Sequence, residues 1–297
     1  MPDEPVRVTF IHGLANKPSP AELRRIWLEA LAMPTPADPG LDLGAIGVHV
    51  GFVYWADLFY AEPLPASGYE ATNDDLKASL EGGRAPTPDA EWRAAMEKRF
   101  HAAGGLAAEP PADPDLPGYE RIPLPGPLKE RIMEEFVREA YAYLWDADGV
   151  REKIRGRVLD DLARGPAGQR KVLVGHSQGT FIAYDVLTGV SRCPFVDGLM
   201  TIGSPLGVDE VQDRLVWTRE DGFPKTLRGE WVNVFDPFDP VARLDPRLAN
   251  DFRKRGGEVV LDVEESSWGM WRHSATKYLK GPRLRAHLRR LCGRKAA

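Results

Sequence analysis

The fold is decided by one stretch of sequence, Lys171-Val172-Leu173-Val174-Gly175-His176-Ser177-Gln178-Gly179. Its apolar, β-branched first half predicts a buried strand over 171–174, and residues 179–187 predict a helix that follows directly. Gly175 and Gly179 flank the turn, where larger side chains would collide with the strand and the helix. The pattern G-x-S-x-G between a strand and a helix predicts a sharp, strained turn that lifts the hydroxyl of Ser177 away from the sheet. Taken alone, the pentapeptide would equally fit a glycine-rich turn with a buried serine.

Outward from that stretch, short apolar runs alternate with helical segments. Strands that alternate with helices imply a parallel sheet with right-handed crossovers, so the predicted fold class is α/β, with a mostly parallel sheet flanked by helices. The further strands are predicted over 6–11, 46–55, 198–202, 231–235 and 259–263, and the further helices over 19–33, 89–103, 127–144, 150–163 and 271–279.

Residues 59–145 differ in composition from the rest of the chain. Prolines cluster between residues 63 and 127, which is typical of an insertion and not of a regular strand–helix unit. We therefore predict a core formed by residues 1–58 and 146–297, with 59–145 inserted into it as a helical cap.

The composition is that of an ordinary globular protein. The chain has 297 residues, of which 43% are hydrophobic and 28% charged, and a net charge of −5 argues against a general nucleic-acid binder. Two cysteines do not make a disulfide framework. The N-terminal residues lack the apolar run of a secretory signal, and no stretch is apolar enough for a membrane span, so we expect a cytoplasmic protein.

If Ser177 is a nucleophile in acyl transfer, the negative oxygen that forms needs preorganised N–H donors. The backbone N–H of Gln178 is one candidate donor, because it follows the serine directly. The N–H of Leu14 is the second, since His12-Gly13-Leu14 follows the first predicted strand and Gly13 allows a close backbone approach. A plain turn after a strand is the alternative interpretation of His12 and Gly13, which we otherwise expect to lie against the substrate.

A hydroxyl nucleophile needs a general base. The chain has six histidines, and only His273 and His287 follow a plausible acid strand. His273 comes after the last predicted strand and before a helix, where a loop reaches over the sheet, whereas His287 lies in a basic helical tail. We predict His273 as the base.

The base needs an orienting carboxylate, and two aspartates follow the strand at 231–235. Asp236 stands at the strand end before Pro237, where it also fits a turn residue that bonds its own backbone. Asp239 lies further along the loop and is our preferred acid. Asp57 and Asp209 are reserve acids near other strand ends, and Asp57 is also a candidate substrate contact.

These residues resemble the α/β-hydrolase superfamily, and within it the lipase and esterase branch. The similarity is carried by Gly175–Gly179, by His12-Gly13-Leu14, by Asp239-Pro240-Val241 and by the segment Thr201-Ile202-Gly203-Ser204-Pro205-Leu206-Gly207. It covers 6–14, 46–57 and 150–280. The resemblance implies a Ser177–His273–Asp239 triad that hydrolyses an ester through an acyl-enzyme.

Two departures from that family bear on fold and substrate. The chain begins at the strand before the oxyanion loop, so we expect a sheet reduced at its N-terminus by two strands. The segment 59–145 is long, and by resemblance it would form a cap or lid that largely decides the substrate.

Other features add less. Residues 280–295 carry seven Lys or Arg and no acid; a solvated helix is the default, and attraction to an anionic membrane surface the alternative. The sequence has no metal-ligand spacing, dinucleotide fingerprint or Walker loop, so no metal or cofactor is predicted. The preferred hypothesis is hydrolysis of a small-molecule or lipid-like ester. The alternatives are a thioesterase, peptidase or acyltransferase on the same triad, or a non-catalytic interaction protein.

Overall fold

The computed structural model describes residues 5–70, 73–105, 126–216, 222–253, 260–267 and 271–293. In this part of the chain six strands form one sheet in the order β2-β1-β3-β4-β5-β6, and every neighbouring pair is parallel. The predicted α/β class is therefore confirmed. The strands are β1 (Val6–Ile11), β2 (Val48–Val53), β3 (Arg170–His176), β4 (Val196–Ile202), β5 (Leu227–Phe235) and β6 (Leu261–Glu264).

Helices cover both faces of this sheet, which is why the central strands are apolar throughout and do not alternate. In β3, Leu173 belongs to one hydrophobic cluster while Val172 and Val174 belong to the other. α4, α5 and α6 contribute to the first cluster, and α1, α8 and α9 to the second. The helices are α1 (Pro20–Ala32), α2 (Asn73–Ser79), α3 (Ala90–Gly105), α4 (Gly126–Leu144), α5 (Val150–Leu162), α6 (Gln178–Gly189), α7 (Asp209–Gln212), α8 (Ala275–Leu279) and α9 (Pro282–Leu291).

The start of α1 follows from its local sequence. Ser19 is the N-cap, Pro20 occupies the first helical position, and the N–H of Glu22 donates to Ser19 Oγ at 3.4 Å. The Ser19 hydroxyl donates in turn to Glu22 Oε2 at 2.7 Å. This side-chain cap at the predicted residue supplies an acceptor for one of the N–H groups that a helix N-terminus leaves unpaired.

Some boundaries differ from the sequence-based prediction. β2 begins at Val48 instead of 46, and β5 begins four residues early, at Leu227. The predicted helix from 271 begins at Ala275, because the residues before it form the loop that carries His273. The start of the strand predicted from 259 lies outside the described residues; β6 spans Leu261–Glu264.

The segment 59–145 contributes α2, α3 and α4, although residues 71–72 and 106–125 are outside the described part. α4 buries the predicted apolar stripe from Leu128 to Tyr143. It packs into the same hydrophobic cluster as α5 and α6, and Tyr143 donates from its hydroxyl to Asp185 Oδ2 at 2.7 Å. α4 is therefore joined to the core helices by a common apolar interior. The division into core and cap stays a prediction.

The basic residues of α9 bind groups within the chain. Arg285 is fully buried and donates to the carbonyls of Ala30 and Met33, while Arg289 donates to Asp38. Arg290 forms an ion pair with Glu230 at 2.9 Å. These contacts dock α9 on the fold, and contact with a membrane surface stays a prediction. Among the described residues, no helix combines the length and apolarity needed to span a bilayer.

Candidate active site

Ser177 stands at the turn between β3 and α6. Its backbone has φ +56° and ψ −126°, a conformation that is strained for a residue with a side chain. A Cβ atom on Gly175 would lie 2.5 Å from the carbonyl oxygen of Gly179, and one on Gly179 would lie 2.4 Å from that of Ile11. Both glycines are therefore required by close packing. The turn places the Ser177 side chain at the N-terminus of α6.

The structure brings together the three side chains that the sequence singles out. His273 Nε2 lies 2.7 Å from Ser177 Oγ, and His273 Nδ1 lies 2.8 Å from both carboxylate oxygens of Asp239. All three residues are buried. These distances make one continuous hydrogen-bond chain from hydroxyl to imidazole to carboxylate, which is the geometry in which an imidazole can accept the hydroxyl proton.

Asp239 is surrounded by donors. Besides His273, it accepts hydrogen bonds from the N–H of Val241 at 2.8 Å, the N–H of Ala242 at 3.1 Å and the hydroxyl of Tyr278 at 2.8 Å. Burial alone would raise the pKa of Asp239, but His273 and these donors lower it below its usual value. The carboxylate is thus held ionised. Tyr278 is a partner that the sequence reasoning missed.

Asp236, the alternative acid, has a different role. It accepts from the N–H of Phe238 at 2.8 Å and from Ser267 through both its N–H, at 2.7 Å, and its hydroxyl, at 2.9 Å. Burial raises the pKa of Asp236. Its contact with Phe238 is the turn bond expected of a residue before Pro237, and its contacts with Ser267 tie this loop to the chain that leads to His273.

The reserve acids lie in ion pairs elsewhere. Arg157 holds Asp57 through both carboxylate oxygens, at 2.5 and 2.9 Å, and Arg99 lies 2.6 Å from Asp209. Asp57 also lines a separate open cavity of about 470 Å³. The residues lining the cavity at Ser177 do not include Asp57, so the structure does not bring this candidate substrate contact to the nucleophile.

His176, inside the turn, contacts the backbone of His273. Its Nε2 lies 2.9 Å from the carbonyl oxygen of His273, and the two rings pack with centroids 4.8 Å apart. Burial and the neighbouring His273 lower the pKa of His176 well below its usual value, so the ring is neutral and donates to that carbonyl. His176 thereby fixes the backbone from which the His273 side chain projects.

The loop after β1 lies directly against Ser177. A Cβ atom on Gly13 would lie 2.4 Å from Ser177 Cβ and 3.0 Å from its Oγ, so only glycine fits. The backbone N–H groups of Leu14 and Gln178, the two candidate oxyanion donors, donate to no acceptor in the described part of the chain. Both groups are therefore open to an acceptor on a ligand.

The ring of His12 makes its contacts with the backbone of Gly13 and with Trp55. Its Nδ1 lies 2.7 Å from the carbonyl oxygen of Gly13, and its Nε2 accepts the N–H of Trp55 at 2.9 Å. The ring is fully buried and stacks on the Trp55 indole at 4.7 Å, and burial lowers the pKa of His12 to about 3. With both nitrogens occupied, His12 joins the ends of β1 and β2. The expected contact of His12 with substrate stays a prediction.

The cavity at Ser177 is small. Its volume is about 10 Å³, which is room for about one water molecule. Four residues of the segment 59–145, Glu70, Leu76, Ser79 and Leu80, form part of its wall. The lining residues are Leu14, Ala15, Lys17, Glu70, Leu76, Ser79, Leu80, His176, Ser177, Trp271 and His273. No group of three or more potential metal ligands occurs among the described residues.

We compared the chain with protein families, curated proteins and solved structures. No protein-family model and no curated protein matches the sequence. The six-stranded parallel sheet flanked by helices and the sharp turn from β3 into α6 are the observed features that resemble the α/β-hydrolase fold.

Similar solved structures have hydrolase names but lie at low identity. An S-formylglutathione hydrolase from Agrobacterium tumefaciens is 12% identical, over 99% of this chain and 86% of that one, with a TM-score of 0.40. A pyrethroid hydrolase from Sphingobium faniae JZ-2 is 12% identical, over 97% of both chains, with a TM-score of 0.38. A dienelactone hydrolase from Anabaena variabilis ATCC 29413 is 10% identical, over 98% and 84%, with a TM-score of 0.35. Likeness of this degree assigns neither substrate nor residue roles.

Proposed function

We propose that this chain is a serine hydrolase that cleaves a carboxylic ester through an acyl-enzyme. The observation that supports this proposal most directly is the buried hydrogen-bond chain from Ser177 Oγ through His273 to Asp239, with distances of 2.7 and 2.8 Å. Buried hydroxyl, imidazole and carboxylate groups rarely align in this order without a chemical purpose, because each loses its hydration on burial.

In the proposed reaction, Ser177 Oγ attacks the ester carbonyl while His273 Nε2 takes its proton. Asp239 keeps the remaining proton on Nδ1 and stabilises the imidazolium. The oxygen of the tetrahedral intermediate accepts from the N–H groups of Leu14 and Gln178. His273 then gives its proton to the leaving alcohol, and a water molecule activated in the same way releases the acid. This sequence needs no cofactor.

Apolar walls favour an ester with a hydrocarbon portion. Leu14, Leu76, Leu80 and Trp271 line the cavity beside the nucleophile. The cavity is too small for such a substrate as it stands, so the mechanism requires the wall contributed by the segment 59–145 to move. Thioester cleavage, peptide cleavage or acyl transfer on the same residues are outcomes that the substrate panel below would reveal.

The nucleophile is tested with a fluorophosphonate probe, which reacts with activated serines. We expect the wild-type chain to gain one label, located at Ser177, and Ser177→Ala to gain none. Ser191→Ala, which removes an exposed serine, is the matched control and should label like the wild type. Unlabelled wild-type protein, or equal labelling of Ser177→Ala, would rule out the proposal.

The reaction is then tested with p-nitrophenyl esters of rising chain length, together with a thioester and an anilide. We expect ester turnover that His273→Ala lowers by about 10⁴- to 10⁶-fold, because His273 is the base that lies within hydrogen-bond distance of the Ser177 hydroxyl in the described part of the chain. Labelling without turnover of any ester, but with turnover of the thioester or the anilide, would replace ester hydrolysis by that chemistry.

A further inference from the structure

Two buried side chains, Lys17 and Glu139, hold one peptide group in the loop after β1. The carbonyl oxygen of Leu14 accepts from the ammonium of Lys17, and the N–H of Ala15 donates to both carboxylate oxygens of Glu139, at 3.1 and 3.2 Å. These two groups belong to the same peptide plane, the one between Leu14 and Ala15. The plane is therefore clamped at opposite edges, from its own loop by Lys17 and from α4 by Glu139.

The clamp is costly to build, which indicates that it has a use. Lys17 is 5% exposed and Glu139 is 1% exposed, so both polar groups have given up nearly all their hydration. Burial shifts the pKa of both towards the neutral form. Ala15 has φ +74°, an unfavourable conformation for a residue other than glycine. The clamp holds the loop in this conformation.

The clamped peptide is next to the one that faces the nucleophile. The N–H of Leu14, the candidate oxyanion donor, belongs to the peptide between Gly13 and Leu14, and Gly13 packs against Ser177. Because peptide groups are planar, the chain between these two peptides can rotate only about the backbone bonds of Leu14. Fixing the second plane therefore restricts the direction in which the Leu14 N–H points.

We propose that Lys17 and Glu139 are positioning residues of the oxyanion hole: by clamping the Leu14–Ala15 peptide they hold the Leu14 N–H towards the oxygen that forms during acyl transfer. This inference rests on the function proposed above. In the proposed reaction, neither Lys17 nor Glu139 contacts the reacting atoms. Both act through the backbone, so they should matter more for the transition state than for ground-state binding.

Other charged groups surround the clamp. The Tyr60 hydroxyl lies 2.9 Å from Glu135 Oε1 and 2.8 Å from Glu139 Oε1. Arg138 lies 3.5 Å from Glu135 on the far side. One phenol proton can serve only one carboxylate, so the second short contact requires a proton on the other glutamate. Glu70 lines the same cavity as Lys17 and adds a further negative charge there.

The test uses Glu139→Gln and Lys17→Met, which nearly keep side-chain volume and remove the carboxyl group and the ammonium group respectively. Their matched controls are Glu134→Gln on the same helix and Lys129→Met, both at exposed positions. Turnover is counted per active site, by titrating Ser177 to completion with the fluorophosphonate, so that any unfolded fraction is excluded. We expect kcat to fall about 10- to 100-fold in each clamp variant, with KM within about threefold of wild type. The controls should keep wild-type values.

A pair of inhibitors separates positioning from general damage. A trifluoromethyl ketone forms a tetrahedral adduct with an activated serine, whereas the matching methyl ketone binds without forming it. We expect the clamp variants to lose affinity for the trifluoromethyl ketone by the same factor as kcat/KM, and to keep their affinity for the methyl ketone. The double variant should lose less than the product of the two single losses, since both changes release one peptide.

Three outcomes decide the inference. Clamp variants with wild-type kcat per titrated site would overturn it, even though Ser177 still labels and turns over ester. Equal losses of affinity for both ketones would also overturn it, since that pattern indicates a disrupted binding site. A wild-type chain without Ser177-dependent labelling would overturn the proposed function and this inference together, and is distinguished from the first two by the wild-type measurement alone.

Discussion

One buried polar network is bonded to Ser177, and a second is bonded to the loop that packs on Ser177. The two networks shift the pKa of their carboxyl groups in opposite directions. On the side of β5, Asp239 is surrounded by donors from His273, Tyr278 and the backbone, and its pKa is lowered. On the side of α4, Glu139 faces a second carboxyl group, that of Glu135, and its pKa is raised. Both sites are equally buried, so burial does not cause the difference.

The number and charge of the neighbours decide it. Asp239 has enough donors to offset its desolvation, so it keeps a fixed negative charge, which an imidazole base needs as a partner. Glu135 and Glu139 both contact the hydroxyl of Tyr60, which has only one proton to donate. The pair of carboxyl groups therefore retains a proton. We therefore expect substitutions near Asp239 to act on the chemical step, and pH to act on the network around Glu139.

The largest effect is expected where the fixed charge is removed. Asp239→Asn keeps the shape of the side chain but neither carries the charge nor holds the required tautomer of His273, so kcat should fall about 10³- to 10⁴-fold. Asp236→Asn is the matched control in the same loop. It should change kcat by less than about threefold and lower the free energy of unfolding by about 1 to 3 kcal/mol, because the bonds to Ser267 are lost. Ester kinetics measure the change in kcat, and urea unfolding measures the change in the free energy of unfolding.

The opposite ranking, with Asp236→Asn the more damaging to kcat, would make Asp236 the acid. Equal losses of kcat in the two variants would mean that the loop acts as one structural unit. Asp239 would then have no special role in the chemical step.

The next effect is on stability as a function of pH. Burial and the adjacent Glu135 raise the pKa of Glu139 from its usual 4.5 to about 8. Between these values the folded chain keeps a proton that the unfolded chain has released, so the free energy of unfolding should fall as pH rises from about 5 to 8. The slope due to one such proton is at most about 1.4 kcal/mol per pH unit. Urea unfolding at several pH values measures it.

Glu139→Gln should flatten this dependence, whereas Glu134→Gln, on the exposed face of α4, should leave it as in the wild type. If the Glu139→Gln curve instead runs parallel to the wild-type curve, the network around Glu139 does not retain a proton, and the two networks differ less than their contacts indicate.

The smallest effect is expected from a single donor on the β5 side. Tyr278→Phe removes the hydroxyl that donates to Asp239 and accepts from the N–H of Asp236, while the ring stays packed. Loss of one hydrogen bond to a charged group should lower kcat about tenfold. Tyr143→Phe, which removes a hydroxyl bonded to Asp185 in another part of the core, is the control and should keep its kcat. Equal kcat values in the two variants would exclude a role for Tyr278 beyond packing.

Local patterns predict much of this fold. The apolar run of β3 and the glycines on either side of Ser177 specify the strand, the turn and the helix, since backbone geometry at the turn depends on adjacent residues. The N-cap at Ser19 likewise depends on residues within one helical turn. Boundaries were less well predicted where tertiary contacts override propensity, as before α8, where Arg272 and His273 form a turn and His273 bonds to Ser177 and Asp239.

Side-chain roles in the site were harder to predict. His12 stands beside the glycine that packs on Ser177, yet its ring turns inward to stack on Trp55, which is 43 residues away. No neighbour in the sequence indicates which way this ring faces. Tyr278 and Lys17 carry no motif, and they acquire significance only through the carboxylate and the carbonyl that they contact.

By itself the sequence determined the alternation of strands and helices, the sharp turn at Ser177 and a short list of partners for it, because these follow from residues close together in the chain. Only the tertiary structure decided that Asp239, and not Asp236, meets His273, and that Glu139 reaches a loop 124 residues before it. The physical reason is that hydrogen bonds act over about 3 Å. Which distant groups come that close depends on how the sheet and helices pack.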